Sequence, residues 1–305
     1  MKKLTAGIYF TMAGSWAVAL KKLGIDVKWH YCVKEFHEIF SLNFPEIPMT
    51  NELSDINVKT DLIVGSPPCV GMSVANPIRG GIDHPANQET INFAAVVETM
   101  RPKGFVMEMV WPFLKPKFAP LFEQYSRILK RNYRFKAEIF NFVDYGAPQL
   151  RKRVIVMGLR KDNKNEIEFP KPHSKRATIE RAFKGLPRLT EDEAVEQKLT
   201  HKFNPKWKGT WSYYIRKPEY FQLRWDGISH AVTALDQKYF KHPGFVEDDL
   251  KYRRLITYRE AARLMEYPDS FKFTGGLGKK AKQISWGVPC KGIQYFIKKV
   301  MKLIE

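Results

Sequence analysis

Apolar and polar positions alternate along the first half of the chain in two rhythms that take turns. "LTAGIYF" (4–10) is a short apolar run with strand character, and "GSWAVALKKLG" (14–24) repeats its apolar residues at helical spacing up to Gly24. "VKWHYCV" (27–33) and "DLIVGS" (61–66) read as further strands, and "NQETINFAAVVETM" (87–100) as a helix. Then follow the strand "GFVMEMV" (104–110), the helix "FAPLFEQYSRILKRN" (118–132) and the strands "YRFKAEIFNF" (133–142) and "RVIVMGLR" (153–160). Strands that alternate with helices predict an α/β fold, a doubly wound and mainly parallel sheet.

The rhythm breaks from residue 161 to about 250, where prolines and cations are frequent and clear periodicity is rare. Within this stretch "KFNPKWKGTWSYYIRKPEYFQLRW" (202–225) interleaves aromatic and basic residues. Such a segment either binds nucleic acid, with cations on phosphates and rings against bases, or forms the core of a small β-rich subdomain. Helical spacing returns at "TYREAARLMEY" (257–267), where Thr257 and Glu260 have the spacing of a capping box. The last segment, "GIQYFIKKVMKLIE" (292–305), is amphipathic. The expected division is a catalytic domain of 1–160 completed by 255–305, with a small basic recognition domain at 161–254.

Charge changes the picture most. The 305 residues carry 51 Lys and Arg against 32 Asp and Glu, a net +19, which suggests a polyanionic partner. No isolated basic amphipathic helix offers itself to a membrane surface, so nucleic acid is the better match. No apolar run is long enough to span a bilayer. The three cysteines, Cys32, Cys69 and Cys290, form no disulfide or zinc pattern, so a reducing, cytoplasmic setting and no metal site are expected. Met1-Lys2-Lys3 leads into a short apolar stretch without a cleavage site, so no export signal is read.

Candidate chemistry starts at "LIVGSPPCVGMS" (62–73). Cys69 follows the apolar run, in a loop stiffened by Pro67 and Pro68. Loops at strand C-terminal ends of open α/β sheets hold ligands, so Cys69 is either a nucleophile or an inert loop thiol. Glu108 ends the strand "VMEMV", and Arg151 and Arg153 occupy alternate positions entering the strand of 153–160, hence the same side. "RWDGISHAVTA" (224–234) and the helix "ITYREAARLMEYPDSFKF" (256–273) follow in order.

Together these motifs resemble the DNA cytosine-5 methyltransferase family over nearly the whole chain. Its Pro-Cys loop appears as Pro67-Pro68-Cys69, its Glu-Asn-Val as Glu108-Met109-Val110, and its Gln-x-Arg-x-Arg as Gln149-Leu150-Arg151-Lys152-Arg153. The resemblance implies a Rossmann-like fold, double-stranded DNA as partner, S-adenosylmethionine as donor, and a chain acting as a monomer in a prokaryotic or viral setting. The transfer-RNA-modifying relatives carry a Cys-Phe-Thr tripeptide that is absent here, which favours DNA. Carbon 5 of cytosine is a poor nucleophile until a thiolate adds to carbon 6, the role expected of Cys69. Glu108 would serve ring nitrogen 3. Arg151 and Arg153 would either stabilise charge at the carbonyl oxygen or contact phosphate. The stacked base must be flipped out to reach the thiol.

The resemblance also places Phe10, Gly14, Cys32, Asp55, Ile56, Pro67 and Trp286 at the donor, and Ser73, Lys206, Lys208, Arg224 and Thr233 at the DNA. Departures from the pattern gather on the donor side. The Phe-x-Gly-x-Gly-Gly turn reads Phe10-Thr11-Met12-Ala13-Gly14-Ser15, so a Met12 side chain is expected to narrow the pocket. Cys32 stands where an acid should hold the ribose, Lys34 where a further acid is usual, and Ser285-Trp286 replace Gly-Asn. Three outcomes are open on these grounds: ordinary methylation, transfer from another one-carbon donor (methylene-tetrahydrofolate or a carboxylated S-adenosylmethionine), or a DNA-binding protein without activity.

Overall fold

The computed structural model describes residues 3–72, 81–172, 176–186, 222–234, 240, 242–244 and 255–305. Five strands run parallel: β1 (Thr5–Tyr9), β2 (Asp26–Tyr31), β3 (Met49–Thr50), β4 (Leu62–Gly65) and β5 (Gly104–Val110). With β6 (Tyr133–Asn141) and β8 (Lys152–Arg160) they form a seven-stranded sheet in the order β3-β2-β1-β4-β5-β8-β6. β8 is antiparallel to both of its neighbours, so the sheet is mainly parallel with one reversed strand. Between β6 and β8 the two-residue β7 (Gln149–Leu150) leaves the main sheet and pairs with β9 (Ser229–His230). The order reverses between β1 and β4, and such a reversal opens a crevice at the strands' C-terminal ends.

Helices cover both faces. Gly104 faces α8 (Gly292–Ile304), because a Cβ on it would come within 2.9 Å of Val300 and 3.2 Å of Ile304. That close approach accounts for a glycine in the strand. Phe105, one residue on and so on the opposite face, packs its ring 6.0 Å from Phe93 of α3 (Gln88–Met100), which in turn packs on α4 (Ala119–Leu129). α8 buries Ile293, Phe296, Ile297, Val300 and Ile304, one stripe at helical spacing, and also touches α1 (Ser15–Lys22).

Ends differ from the sequence reading by a residue or two. The second strand stops at Tyr31 rather than at Val33, because residues 34–36 turn as a single tight helical turn before α2 (His37–Asn43). Neither α2 nor α7 (Leu277–Ser285) stood out from the pattern: α2 has only seven residues, and Ile284 is the one large apolar side chain that α7 buries. At α6 (Tyr258–Leu264) the capping box is formed, with Thr257 Oγ1 accepting from the Glu260 amide at 3.0 Å and Glu260 Oε2 accepting from the Thr257 amide at 2.7 Å. In the central region α5 (Ile179–Phe183) packs on α6 and bonds back to residues 225–227. The aromatic and basic run at 202–221 lies outside the described residues.

Candidate active site

The loop after β1 and the loop after β4 meet at the reversal of strand order. Phe10, Met12 and Gly14 all have positive φ, at 56°, 52° and 125°. Two of these left-handed positions are held by residues with a Cβ, each at a cost of about 1–2 kcal/mol. Hydrogen bonds enforce the conformation. The Trp16 amide donates to Thr11 Oγ1 at 2.8 Å, the Trp16 indole donates to Ser66 Oγ at 2.8 Å, and the Ser66 amide donates to the Phe10 carbonyl at 3.0 Å. Ser15 Oγ, where the resemblance leads one to expect glycine, accepts from the Val288 amide at 3.1 Å and draws in the segment that leads to α8.

Met12 departs from expectation. Its side chain is 8% exposed and packed into the core, so the lost glycine appears as backbone strain rather than as a side chain standing in open space. Cys32, at the place of the ribose-holding acid, is buried, and its thiol meets the backbone amides of Met12, Val33 and Thr11. Burial pushes that thiol up to about 12, so it remains neutral at pH 7 and supplies no carboxylate. Asp55 is exposed beyond β3 and accepts from Thr50 Oγ1 at 2.6 Å, with Ile56 and Pro67 buried beside their loops. Lys34 is exposed. Trp286, 39% exposed, reaches over to Phe36 with ring centroids 5.9 Å apart, and Lys282 lies 5.3 Å from its ring.

Cys69 sits half-buried one residue before a tight turn, Val70–Met72, whose Met72 amide donates to the Cys69 carbonyl at 3.0 Å. Gly71 lies against His84 and Asn87, where a Cβ would be within 2.6 Å of either, and Asn87 Nδ2 holds the Gly81 and Ile82 carbonyls. Glu108, two residues before the end of β5, is buried, and its Oε1 accepts from Arg153 Nε at 2.8 Å. Val110 is the cross-strand partner of Arg153, which puts residue 108 and the start of β8 side by side. Burial pushes the Cys69 thiol up, Arg153 and Arg151 oppose it, and Glu108 adds to it. The three predicted residues Cys69, Glu108 and Arg153 therefore share one electrostatic site.

Arg151 plays a different part from Arg153. It is 3% exposed, and its guanidinium donates to the carbonyls of Val232 (3.0 Å), Ser285 (2.9 Å) and Gly287 (2.8 Å). Neither role expected of Arg151, stabilising charge at the carbonyl oxygen or contacting phosphate, matches this placement, since its guanidinium is spent on backbone and it reaches Cys69 only through its charge. Gln149, whose role the sequence did not disclose, is fully buried: Oε1 accepts from the Val232 amide at 3.0 Å and Nε2 donates to the Leu264 carbonyl at 2.6 Å. Val232 is thus held at both ends of its residue, next to the half-buried Thr233. Arg224 is exposed and pairs with Asp226 at 3.2 Å. Ser73, Lys206 and Lys208 lie outside the described residues.

A family model described as C-5 cytosine-specific DNA methylase matches residues 6–302. The chain belongs to the C-5 cytosine-specific DNA methylase family and is a methyl-transferring enzyme. It is similar to the type II methyltransferase M1.HphI of Haemophilus parahaemolyticus, 29% identical over 96% of this chain and 86% of that one. It is also similar to the type II methyltransferase M.MthTI of Methanothermobacter thermautotrophicus, 26% identical over 97% of each chain. Among solved structures, the Entamoeba histolytica methyltransferase EhMeth superposes with a TM-score of 0.74 at 16% identity, covering 100% of both chains, which shows the shared fold. Among the described residues no helix is long and apolar enough to cross a membrane.

Proposed function

We propose that the enzyme methylates carbon 5 of cytosine in double-stranded DNA, with S-adenosylmethionine as donor and a covalent bond from Cys69 to carbon 6 of a flipped-out base. The observation that carries this reading is the convergence of Cys69, Glu108 and Arg153 from the ends of β4, β5 and β8. The Cys69 thiolate adds to carbon 6, and the electron pair moves toward carbon 5 and the ring nitrogen 3. Glu108, from its carboxyl oxygen not bonded to Arg153, passes a proton to nitrogen 3 as charge builds there, while Arg153, fixed by its bond to Glu108, stabilises charge at the carbonyl oxygen. After transfer a solvent water takes the proton from carbon 5, its electron pair re-forms the bond between carbons 5 and 6, the Cys69 sulfur departs as thiolate, and nitrogen 3 returns its proton to Glu108. Flipping costs a few kcal/mol, which contacts in the pocket offset.

The residues at the strand reversal fit the donor in part. The turn with positive φ at Phe10, Met12 and Gly14, the exposed Asp55 carboxylate beyond β3 and the ring of Phe10 suit a nucleoside, whereas the neutral Cys32 leaves the ribose without its usual acid. When bound, S-adenosylmethionine supplies an electrophilic methyl group, and Phe10, Gly14, Asp55, Ile56, Pro67 and Trp286 would hold it. Residues 161–254 would form the DNA-recognition domain, with Arg224 and Thr233 facing the duplex. Nucleoside mass spectrometry tests the reaction: duplex DNA with enzyme and S-adenosylmethionine should yield 5-methylcytosine. Modification with only methylene-tetrahydrofolate or carboxylated S-adenosylmethionine would replace the donor.

A further inference from the structure

Within electrostatic reach of Tyr31, as Cys32 is, stands an acid outside the motifs quoted above. Tyr9 at the end of β1 is fully buried, and its hydroxyl donates to Oε2 of Glu89 in the first turn of α3. Asn92 donates to the same hydroxyl, and Asn92 Oδ1 accepts from Gln88 Nε2 at 3.1 Å. Every bond in this chain, Gln88 to Asn92 to Tyr9 to Glu89, points its hydrogen toward the carboxylate. The chain's polarity makes Glu89 an acceptor, and aligned bonds of this kind reinforce one another. Among the described residues Glu89 Oε1 has no partner, and the side chain is half-exposed.

The surroundings tie this acceptor to the crevice. Tyr9 and Tyr31 are cross-strand partners with rings 4.8 Å apart, and Phe10 closes the group at 5.3 Å from Tyr9 and 5.2 Å from Tyr31. Tyr31 directly precedes Cys32, and Phe10 opens the left-handed turn. Glu89 is near enough to Tyr31 to add, after burial, to the push that takes its hydroxyl up to about 12. A carboxylate, an aromatic floor and the C-terminal ends of β1 and β2 are thereby gathered at one point.

We propose that Glu89, seated by Tyr9, is a donor-binding residue: its free oxygen accepts a hydrogen bond from a hydroxyl or amino group of the donor's nucleoside, taking over the acidic contact that Cys32 lacks. This rests on the reading of the reversal crevice as the nucleoside-donor site. A charge-assisted bond of this kind is worth a tenfold to hundredfold change in affinity. The alternative is that Glu89 merely satisfies the buried Tyr9 hydroxyl, and Glu89→Gln separates the two, because the amide oxygen can still accept from Tyr9 while the charge is gone.

The experiment measures S-adenosylhomocysteine binding by calorimetry for the wild type, Glu89→Gln and Glu89→Leu, alongside thermal melting and DNA affinity. The proposal expects Glu89→Gln to weaken S-adenosylhomocysteine at least tenfold with melting and DNA affinity unchanged. Glu89→Leu should weaken it as much or more, and this variant also lowers the melting temperature by stranding Tyr9. Glu89→Gln binding within twofold of the wild type would overturn the proposal, even if Glu89→Leu loses stability. A wild type that binds no S-adenosylhomocysteine but binds a folate would instead overturn the donor reading beneath it.

Discussion

Glu266→Gln should remove a pH dependence that the wild-type fold carries between pH 4.5 and about 7. Glu266 is buried at a left-handed φ of 62°, and its Oε2 accepts from the amides of Lys291 and Gly292 at 2.9 and 2.8 Å, where α8 begins. Burial pushes the carboxyl from an ordinary 4.5 up to about 7, against the pull of those two amides. A raised folded-state value means that the folded protein keeps its proton where the unfolded chain has lost it. Stability is therefore fully present below pH 4.5 and falls as pH rises toward about 7. At 1.36 kcal/mol per pH unit the displacement is worth about 3 kcal/mol, most of it between pH 5 and 8. Glutamine keeps an acceptor for the amides and does not titrate. Urea unfolding of wild type and variant at pH 5, 6, 7 and 8 isolates the group, because all other titrations cancel in the difference. The variant should gain about 2–3 kcal/mol relative to the wild type between pH 5 and pH 8. A flat difference, or one of opposite slope, would mean that the amides of α8 hold the carboxylate charged in the fold, and the burial argument would be wrong.

Arg151→Ala should lower stability by about 3 kcal/mol or more, because three buried carbonyls lose their donor at once; a loss under 1 kcal/mol in urea unfolding would contradict the brace. The raised Cys69 thiol implies that adduct formation climbs with pH through 8, about tenfold per unit while the thiol form dominates. A rate independent of pH between 7 and 8.5 in stopped-flow trapping would show that the thiolate is already formed.

The alternation of periods made the sheet legible, since each strand of the large sheet except the two-residue β3 overlaps a run that the apolar pattern marks. Thr257 and Glu260 disclosed the start of α6 because a capping box is local, as is the loop geometry that Pro67 and Pro68 impose before Cys69. What joins distant segments was not legible. Arg151 and Arg153 have the same chemistry two positions apart, and only the carbonyls of Val232, Ser285 and Gly287 tell them apart. The bond from Tyr9 to Glu89 spans 80 positions without a periodic trace. Met12 could be recognised as a lost glycine, but not that its side chain would turn into the core while the backbone kept a φ of 52°.

The central claim is that Cys69 attacks the base, and covalent trapping on a duplex carrying 5-fluorocytosine tests it most directly, since fluorine at carbon 5 blocks the final elimination. With S-adenosylmethionine present, the wild type should form a denaturation-resistant complex whose cross-linked peptide contains Cys69. Cys69→Ser should form none while still binding the duplex. A complex that survives in Cys69→Ser, or a cross-link mapped to another residue, would contradict the account.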